Sequence, residues 1–215
     1  MNKEYCEKII EYFEKRYKNP RPALEYGSNY QLLVAVILSA QCTDERVNKV
    51  TKVLFENYPT PEKMITLSQE ELEKYIYSCG FYHNKAKHIL QASNDILQKY
   101  NGEVPSEYDK LLALSGVGRK TANVVSSVAF GIPAIAVDTH VFRVSNRIGM
   151  ACATTPEKTE EQLKKLLPKE KWSDCHHYII FYGREVCSAR NPSCNTCEIK
   201  QYCDYYNKNK VIQVD

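Results

Sequence analysis

The chain has 215 residues, of which 43% are hydrophobic, and its formal net charge at pH 7 is +3. This length allows a sizeable core in one or two compact domains. The net charge is too small to identify a nucleic-acid partner, so the positions of the basic residues must decide that question. No apolar run predicts a membrane span, and residues 2–8 carry charges where the apolar core of a signal peptide would begin. The expected location is therefore the cytoplasm, without a membrane partner.

Helix signals recur along the whole chain. The predicted starts are two capping boxes, two prolines at the first helical position and two serine caps, at Ser28–Gln31, Ser68–Glu71, Thr60-Pro61, Thr155-Pro156, Ser106 and Ser173. Helix ends are predicted at Asn101-Gly102 and Gly131. Because no segment alternates convincingly with period two, the pattern predicts an all-α fold of about ten helices joined by short loops.

Two residues early in the chain, Gln41 and Phe81, lie at predicted helix ends or turns. Gln41 lies between two predicted helices, the second of which is capped by Thr43 or Asp44, and on its own it is simply a polar residue at a helix end. Phe81 follows Gly80 at a turn. It belongs either to a buried aromatic pair with Tyr82 or to an exposed wedge.

The segment Leu114–Val125 contains a glycine turn followed by a helix. Gly116 and Gly118 flank Val117, which allows a sharp turn with positive φ and leaves backbone N–H groups uncovered. A helix is predicted to begin at Arg119 and to run to Phe130. Free amides ahead of a helix N-terminus suit an anion such as a phosphate diester, although the two glycines alone also fit a tight turn between helices.

Charge is distributed unevenly around this turn. Between Leu111 and Met150 the only acid is Asp138, and the bases are Arg119, Lys120, Arg143 and Arg147. A polyanion can lie along such a surface. Simpler interpretations remain for two of these residues, since Asp138 occupies an N-cap position and Lys120 fits a solvated lysine in a first helical turn.

The nine cysteines fall into two groups. Cys6, Cys42, Cys79, Cys152 and Cys175 are scattered and are predicted to be small, buried, reduced residues. The other four follow the spacing Cys187-x6-Cys194-x2-Cys197-x5-Cys203, within seventeen residues that are poor core material. This spacing predicts a metal site, and four thiolates satisfy either tetrahedral zinc or an iron–sulfur cluster.

Three features together resemble the endonuclease III family of helix-hairpin-helix DNA glycosylases and abasic-site lyases: Leu114–Val125, Val137–His140 and the cysteine spacing. The resemblance implies a helical domain at 22–132 that contains the hairpin. It also implies a second helical domain, built from 1–21 and 133–215, and an active-site cleft between them. It further implies a [4Fe-4S] cluster on the four C-terminal cysteines.

The family resemblance also implies site residues. Lys120 is the expected Schiff-base nucleophile, and Asp138 is the expected carboxylate beside the sugar. Gln41 is expected to fill the space left by an extruded base, and Phe81 to act as a wedge where the family commonly has leucine. Ser115 stands where the family hairpin usually has proline. The remaining expected DNA contacts are Gly116, Gly118, Arg119, His140, Arg143, Arg184 and Arg190.

Three functional hypotheses compete at this point. The first is a monomeric, nucleoid-associated glycosylase and lyase that acts on damaged, mainly oxidised, pyrimidines and on abasic sites in double-stranded DNA. The second is an enzyme of the same fold that prefers another lesion, such as mismatched thymine or adenine. The third is a non-catalytic DNA-binding module with a hairpin and a zinc site.

Overall fold

A computed structural model describes residues 2–18, 20 and 22–212, with side chains up to residue 208. Its regular structure in this part is entirely helical, with four short 3-10 turns and no strand, which confirms the predicted all-α class. No helix among these residues is long and apolar enough to cross a membrane. The α-helices are α1 Lys3–Arg16, α2 Asn29–Ser39, α3 Asp44–Asn57, α4 Pro61–Met64, α5 Gln69–Ile76, α6 Tyr82–Tyr100, α7 Tyr108–Leu112, α8 Arg119–Phe130, α9 Thr139–Ile148, α10 Pro156–Leu166, α11 Trp172–Glu185 and α12 Asp204–Ile212.

The chain divides into two compact units. One unit is Pro22–Ile132, and the other combines Met1–Arg21 with Pro133–Asp215. Each unit has its own hydrophobic core. The second unit is therefore built from the two ends of the chain, with the first unit inserted between them.

The 22–132 unit is organised around α2. Every residue from Leu32 to Leu38 is buried, because this helix is apolar on all sides rather than on one stripe. The helices α3, α6 and α8 pack around it. The C-terminal end of α2, two residues before Gln41, and the N-terminal half of α8, which carries Arg119 and Lys120, are thereby fixed within one core.

Aromatic packing joins α1 to α11 in the other unit. Phe13 of α1 is fully buried, and its ring centroid lies 5.1 Å from that of Tyr182 and 6.2 Å from that of Tyr178. Burying one such side chain contributes about 1.5–3 kcal/mol. This contact attaches the N-terminal helix to the element that leads into the cysteine loop.

Most of the predicted helix boundaries are confirmed. Ser68 and Glu71 form a reciprocal capping box, in which Ser68 Oγ accepts from Glu71 N at 3.2 Å and Glu71 Oε2 accepts from Ser68 N at 2.8 Å. Thr60 and Thr155 cap α4 and α10, each with proline in the first turn. Asn101 and Gly131 end α6 and α8 in the left-handed conformation.

Three predicted starts need correction. Ser28 caps α2, but Gln31 Oε1 accepts from Gly27 N at 2.7 Å instead of closing the box on Ser28. Ser106 is not a cap: α7 begins at Tyr108 behind Glu107, whose carboxylate pairs with Lys110 across the first turn at 2.7 Å. Ser173 lies inside the first turn of α11, because a 3-10 turn precedes that helix and the ring N–H of Trp172 is anchored on the Leu167 carbonyl at 3.1 Å.

Candidate active site and metal centre

The glycine turn ahead of α8 requires only one of its two glycines for steric reasons. Gly116 has φ 77°, and a Cβ there would lie 2.8 Å from the Cβ of His88. Gly118 has φ −89°, and a Cβ there would meet nothing within 4 Å. The expectation that both glycines allow positive φ therefore applies to Gly116 alone, and the protein's own packing does not require glycine at 118.

The N-terminus of α8 is suited to an anion. The helix begins at Arg119 and ends at Phe130, as predicted, and Gly118 is its N-cap residue. Because glycine has no side chain, the cap position supplies no side-chain acceptor for the first-turn amides. Arg119 and Lys120 are both exposed in this turn. The positive end of the helix dipole and two cationic side chains thus lie directly behind the turn.

A side-chain hydrogen bond fastens the same turn to α6. His88 Nδ1 and Ser115 Oγ are 2.8 Å apart. Leu114 O also accepts from Val117 N at 3.1 Å within the turn. At position 115, where the resemblance implies proline, a contact to a neighbouring helix therefore provides the restraint that a proline ring would provide locally.

Gln41 and Phe81 share an unusual backbone conformation. Gln41 has φ 54° and Phe81 has φ 47°, in the left-handed region that non-glycine residues rarely adopt. Phe81 is 64% exposed, so the interpretation as a buried aromatic pair is wrong. Gln41 is also exposed, and Thr43 provides the cap of α3. Strain of this kind persists only where the surrounding structure holds it in place.

Asp138 is the N-cap of α9, as predicted. Its Oδ1 accepts a hydrogen bond from Val141 N at 2.8 Å, and the residue is half-buried. A carboxylate has a second oxygen that this cap does not use. Capping and a chemical role for Asp138 are therefore compatible, and the cap fixes the orientation of the group.

His140, in the first turn of α9, has a lowered pKa. Burial lowers its pKa and outweighs the opposing effect of the Asp138 carboxylate, while Arg143 and Arg184 lower the pKa further. The Arg143 guanidinium lies 3.2 Å from His140 Nδ1. A hydrogen bond with the Gly183 backbone opposes the lowering of the His140 pKa.

Two arginines of α9 bind backbone carbonyl groups at and beyond the end of α11. Arg143 donates to Gly183 O at 2.9 Å and to Cys187 O at 3.1 Å. Arg147 donates to Ser188 O at 2.6 Å and to Ala189 O at 2.8 Å. Arg143, which is predicted to contact DNA, therefore also holds the backbone at the end of α11. The anchoring role of Arg147 was missed by sequence reasoning, because its partners lie about forty residues away along the chain.

The four C-terminal cysteines line one pocket, together with Arg147 and Tyr182. Tyr182 Oη lies 2.8 Å from Cys197 Sγ, and Arg147 Nη1 lies 3.6 Å from Cys187 Sγ. Burial and the nearby Cys187 and Cys197 raise the pKa of the Cys194 thiol. In the part of the chain that the structure describes, no three His, Cys, Asp or Glu side chains form a site for a single metal ion.

The chemistry of these side chains fits a metal group held by thiolates. Four thiols that line one pocket are stabilised as thiolates when a cationic metal centre takes up their charge. Donors directed at sulfur, such as Tyr182 Oη and Arg147, also match the surroundings of metal-bound thiolates.

The other five cysteines are free thiols, as expected. Cys6, Cys79 and Cys175 are buried and Cys42 is half-buried, but Cys152 is exposed, so the expectation of burial is wrong there. Cys152 instead lies in the loop ahead of α10, where its backbone exchanges hydrogen bonds with the Gln162 side chain at 2.7 and 3.2 Å.

Comparison with known proteins identifies the family. The model of the HhH-GPD superfamily base excision DNA repair proteins matches residues 34–169. Endonuclease III of Rickettsia conorii is 48% identical over 96% of this chain and 98% of its own length. The chain belongs to the endonuclease III family. Endonuclease III of Bacillus subtilis is 51% identical over 84% of this chain and 83% of its own length.

A solved structure extends the likeness to the whole fold. The structure of a trapped covalent intermediate of endonuclease III with DNA, an estranged-adenine complex, has a TM-score of 0.93 and 47% sequence identity. The match covers 98% of this chain and 99% of that one. As a member of the endonuclease III family, the chain is a base excision repair DNA glycosylase with abasic-site lyase activity, and the hypothesis of a non-catalytic module is wrong.

The two hairpin glycines are expected to respond differently to alanine. Gly116→Ala should lower the free energy of unfolding by about 1–3 kcal/mol, because it adds left-handed strain and a clash with His88. Gly118→Ala should leave stability unchanged but weaken binding to abasic-site duplex roughly tenfold, since its methyl group would meet an approaching phosphate. Urea unfolding and fluorescence anisotropy measure the two effects. If both variants lost the same stability and Gly118→Ala kept the wild-type affinity, the phosphate contact proposed for Gly118 would be contradicted.

Proposed function

We propose that the chain removes damaged, mainly oxidised, pyrimidines from duplex DNA and then cleaves the strand 3′ to the abasic site by β-elimination through a Schiff base on Lys120. The observation that carries this proposal is the position of Lys120, exposed in the first turn of α8 directly behind the glycine turn. The covalent intermediate trapped for a relative supports the same chemistry. The substrate is double-stranded DNA with damaged bases or abasic sites.

The reaction begins with extrusion of the damaged nucleotide, which costs least when the base is already weakly stacked. As the glycosidic bond breaks, positive character develops on the sugar, and the fixed Asp138 carboxylate stabilises it. The Lys120 amine forms a bond to C1′ as the base leaves with the electron pair of the glycosidic bond, and the nitrogen then loses one proton. The nitrogen lone pair breaks the C1′–O4′ bond, O4′ takes up a proton, and the sugar ring opens to a protonated Schiff base. This imine acidifies the C2′ proton, whose removal expels the 3′ phosphate.

Cys187, Cys194, Cys197 and Cys203 would hold a [4Fe-4S] cluster. Such a cluster supplies structural cross-linking of a loop that has little apolar core of its own. The same spacing would present Arg190, which is exposed between the first two ligands, toward DNA phosphate. A purified sample containing the cluster should be yellow-brown.

The two units would then have separate tasks. The unit at 22–132 would supply the hairpin contacts and the loops of Gln41 and Phe81. The unit of 1–21 with 133–215 would supply the cluster and Asp138. Monomeric action in the cytoplasm, at the nucleoid, is part of the same proposal. The proposed phosphate or base contacts are Gln41, Phe81, Gly116, Gly118, Arg119, His140, Arg143, Arg184 and Arg190.

Lys120 is expected to be the residue trapped by reduction. Borohydride added to the enzyme with a thymine-glycol duplex should yield a covalent complex, and Lys120→Ala should abolish it, because no other amine is proposed to reach C1′. Lys110→Ala removes an exposed lysine of α7 and should trap as the wild type does. Gel electrophoresis of the reduced samples measures the yield. A full yield from Lys120→Ala would show that another amine performs the step.

Asp138 offers a substitution that separates charge from capping. Asparagine caps a helix as well as aspartate does, so Asp138→Asn should keep the stability of α9 while removing the negative charge. Single-turnover release of thymine glycol should fall roughly a hundredfold. Strand cleavage at a preformed abasic site, which needs no stabilised sugar cation, should fall much less. Asp138→Ala should additionally lose about 1 kcal/mol of stability. Wild-type base release by Asp138→Asn would contradict the role.

Arg190 is expected to contribute one phosphate contact. Arg190→Ala should weaken binding to duplex DNA and reduce the slope of log affinity against log salt concentration by about 0.9. Lys158→Ala removes an exposed cation of α10 with no proposed DNA contact and should leave the slope unchanged. Iron content should be equal in all three proteins. Unchanged affinity of Arg190→Ala at every salt concentration would count against the contact.

A further inference from the structure

A buried lysine links the two strained loops of the 22–132 unit. Lys85, in the first turn of α6, is only 5% exposed. Its ammonium donates three hydrogen bonds to backbone carbonyls, at 2.8 Å to Leu38 O, 2.7 Å to Ala40 O and 2.7 Å to Cys79 O. All three N–H groups of the ammonium are thereby satisfied, and each acceptor is a main-chain group.

The three acceptors lie on the segments that present Gln41 and Phe81. Leu38 and Ala40 belong to the C-terminal end of α2, and Ala40 directly precedes Gln41. Cys79 ends the 3-10 turn that leads through Gly80 to Phe81. One charged group therefore holds the backbone immediately before each of the two exposed, left-handed residues.

Further contacts connect the same two segments. The Cys79 thiol interacts electrostatically with that of Cys42, which directly follows Gln41. Arg46 of α3 donates to the Ser78 carbonyl at 3.3 Å. These weaker links join the segments at their margins, whereas Lys85 is the charged group that contacts both from inside the core.

Stability alone is a poor explanation for a charge at this position. Burial lowers the pKa of Lys85, with nearby Cys79 and Cys42 opposing the shift, which reflects the cost of removing an ammonium from water. An apolar side chain avoids that cost. The ammonium does what an apolar residue cannot do, because three short bonds in different directions fix the relative position of two backbone segments.

We propose that Lys85 is a positioning residue for base extrusion: it sets the spacing and direction of the Gln41 and Phe81 loops so that both side chains enter the duplex together. The role rests on the proposed function of those two loops. A displacement of the loops by even about 1 Å is expected to slow the step that needs both of them, without altering the chemistry at the sugar.

The test compares two substrates on each enzyme preparation. One is a duplex with thymine glycol in a base pair, which must be opened, and the other carries thymine glycol in a single-nucleotide bulge, which is extruded at lower cost. Lys85→Met should reduce single-turnover base release from the paired lesion roughly tenfold to a hundredfold more than from the bulge. The quantity compared is the ratio of the two single-turnover rate constants, paired lesion over bulged lesion, for each enzyme. A smaller fraction of folded protein lowers both rate constants equally and leaves this ratio unchanged.

Two controls make the result specific. Tyr30→Phe removes another buried hydrogen bond of the same unit, Tyr30 Oη to Ser93 Oγ at 2.6 Å, and should leave the ratio unchanged. Lys85→Arg keeps the charge and several donors, so its ratio should lie between those of Lys85→Met and the wild type. It also serves as the test variant where Lys85→Met does not fold. In a Gln41→Ala/Phe81→Ala background, Lys85→Met should change the ratio less than about twofold, because coupled residues are not additive.

Each outcome has a definite meaning. Equal losses on the paired and bulged substrates, or a full additional loss in the Gln41→Ala/Phe81→Ala background, would overturn the role of Lys85 alone. A Gln41→Ala/Phe81→Ala enzyme with the wild-type ratio would instead overturn the function proposed for the two loops. A selective loss in Lys85→Met that disappears in that background supports the inference.

Discussion

The burial of α2 is the constraint on which the rest of the 22–132 unit depends. Because this helix is apolar on every side, α3, α6 and α8 must surround it, and the elements that carry exposed functional groups are fixed by a common core. The ends of such a helix still leave carbonyl groups without helical partners. Lys85 of the neighbouring helix α6 donates hydrogen bonds to two carbonyl groups at the end of α2, so the core and the loop geometry are determined together.

The other unit solves a different problem. Its cysteine loop contains few apolar side chains, so it is held by backbone hydrogen bonds from Arg143 and Arg147 on one side and by the proposed cluster on the other. Both arginines lie on α9, the helix that Asp138 caps. The carboxylate, the arginine anchors and the first cysteine of the loop are therefore connected through one short helix. Loss of the proposed cluster should therefore also affect the N-terminus of α9, where Asp138 lies.

Local signals in the sequence predicted the features that depend on a few neighbouring residues. The limits of α8, the N-cap at Asp138 and the capping box at Ser68 follow from residues within one helical turn. The four cysteine ligands are expected from spacing alone. Sequence reasoning failed where a partner lies far along the chain or where two local solutions compete, as at Ser28, where Gln31 bonds to Gly27 instead. The anchoring bonds of Lys85 and Arg147 are of the long-range kind, because their acceptors are main-chain oxygens that carry no residue-specific signal.

The unit formed from both chain ends has a consequence for biosynthesis. The helix α1 is made before the inserted unit, but Tyr178 and Tyr182, which cover Phe13, are made only after the whole of that unit. At about 5–20 residues per second this interval is on the order of ten seconds. Throughout that time the apolar face of α1 remains uncovered, while the inserted unit is already complete and can fold. The nascent chain thus contains the complete hairpin before α1 can pack against α11.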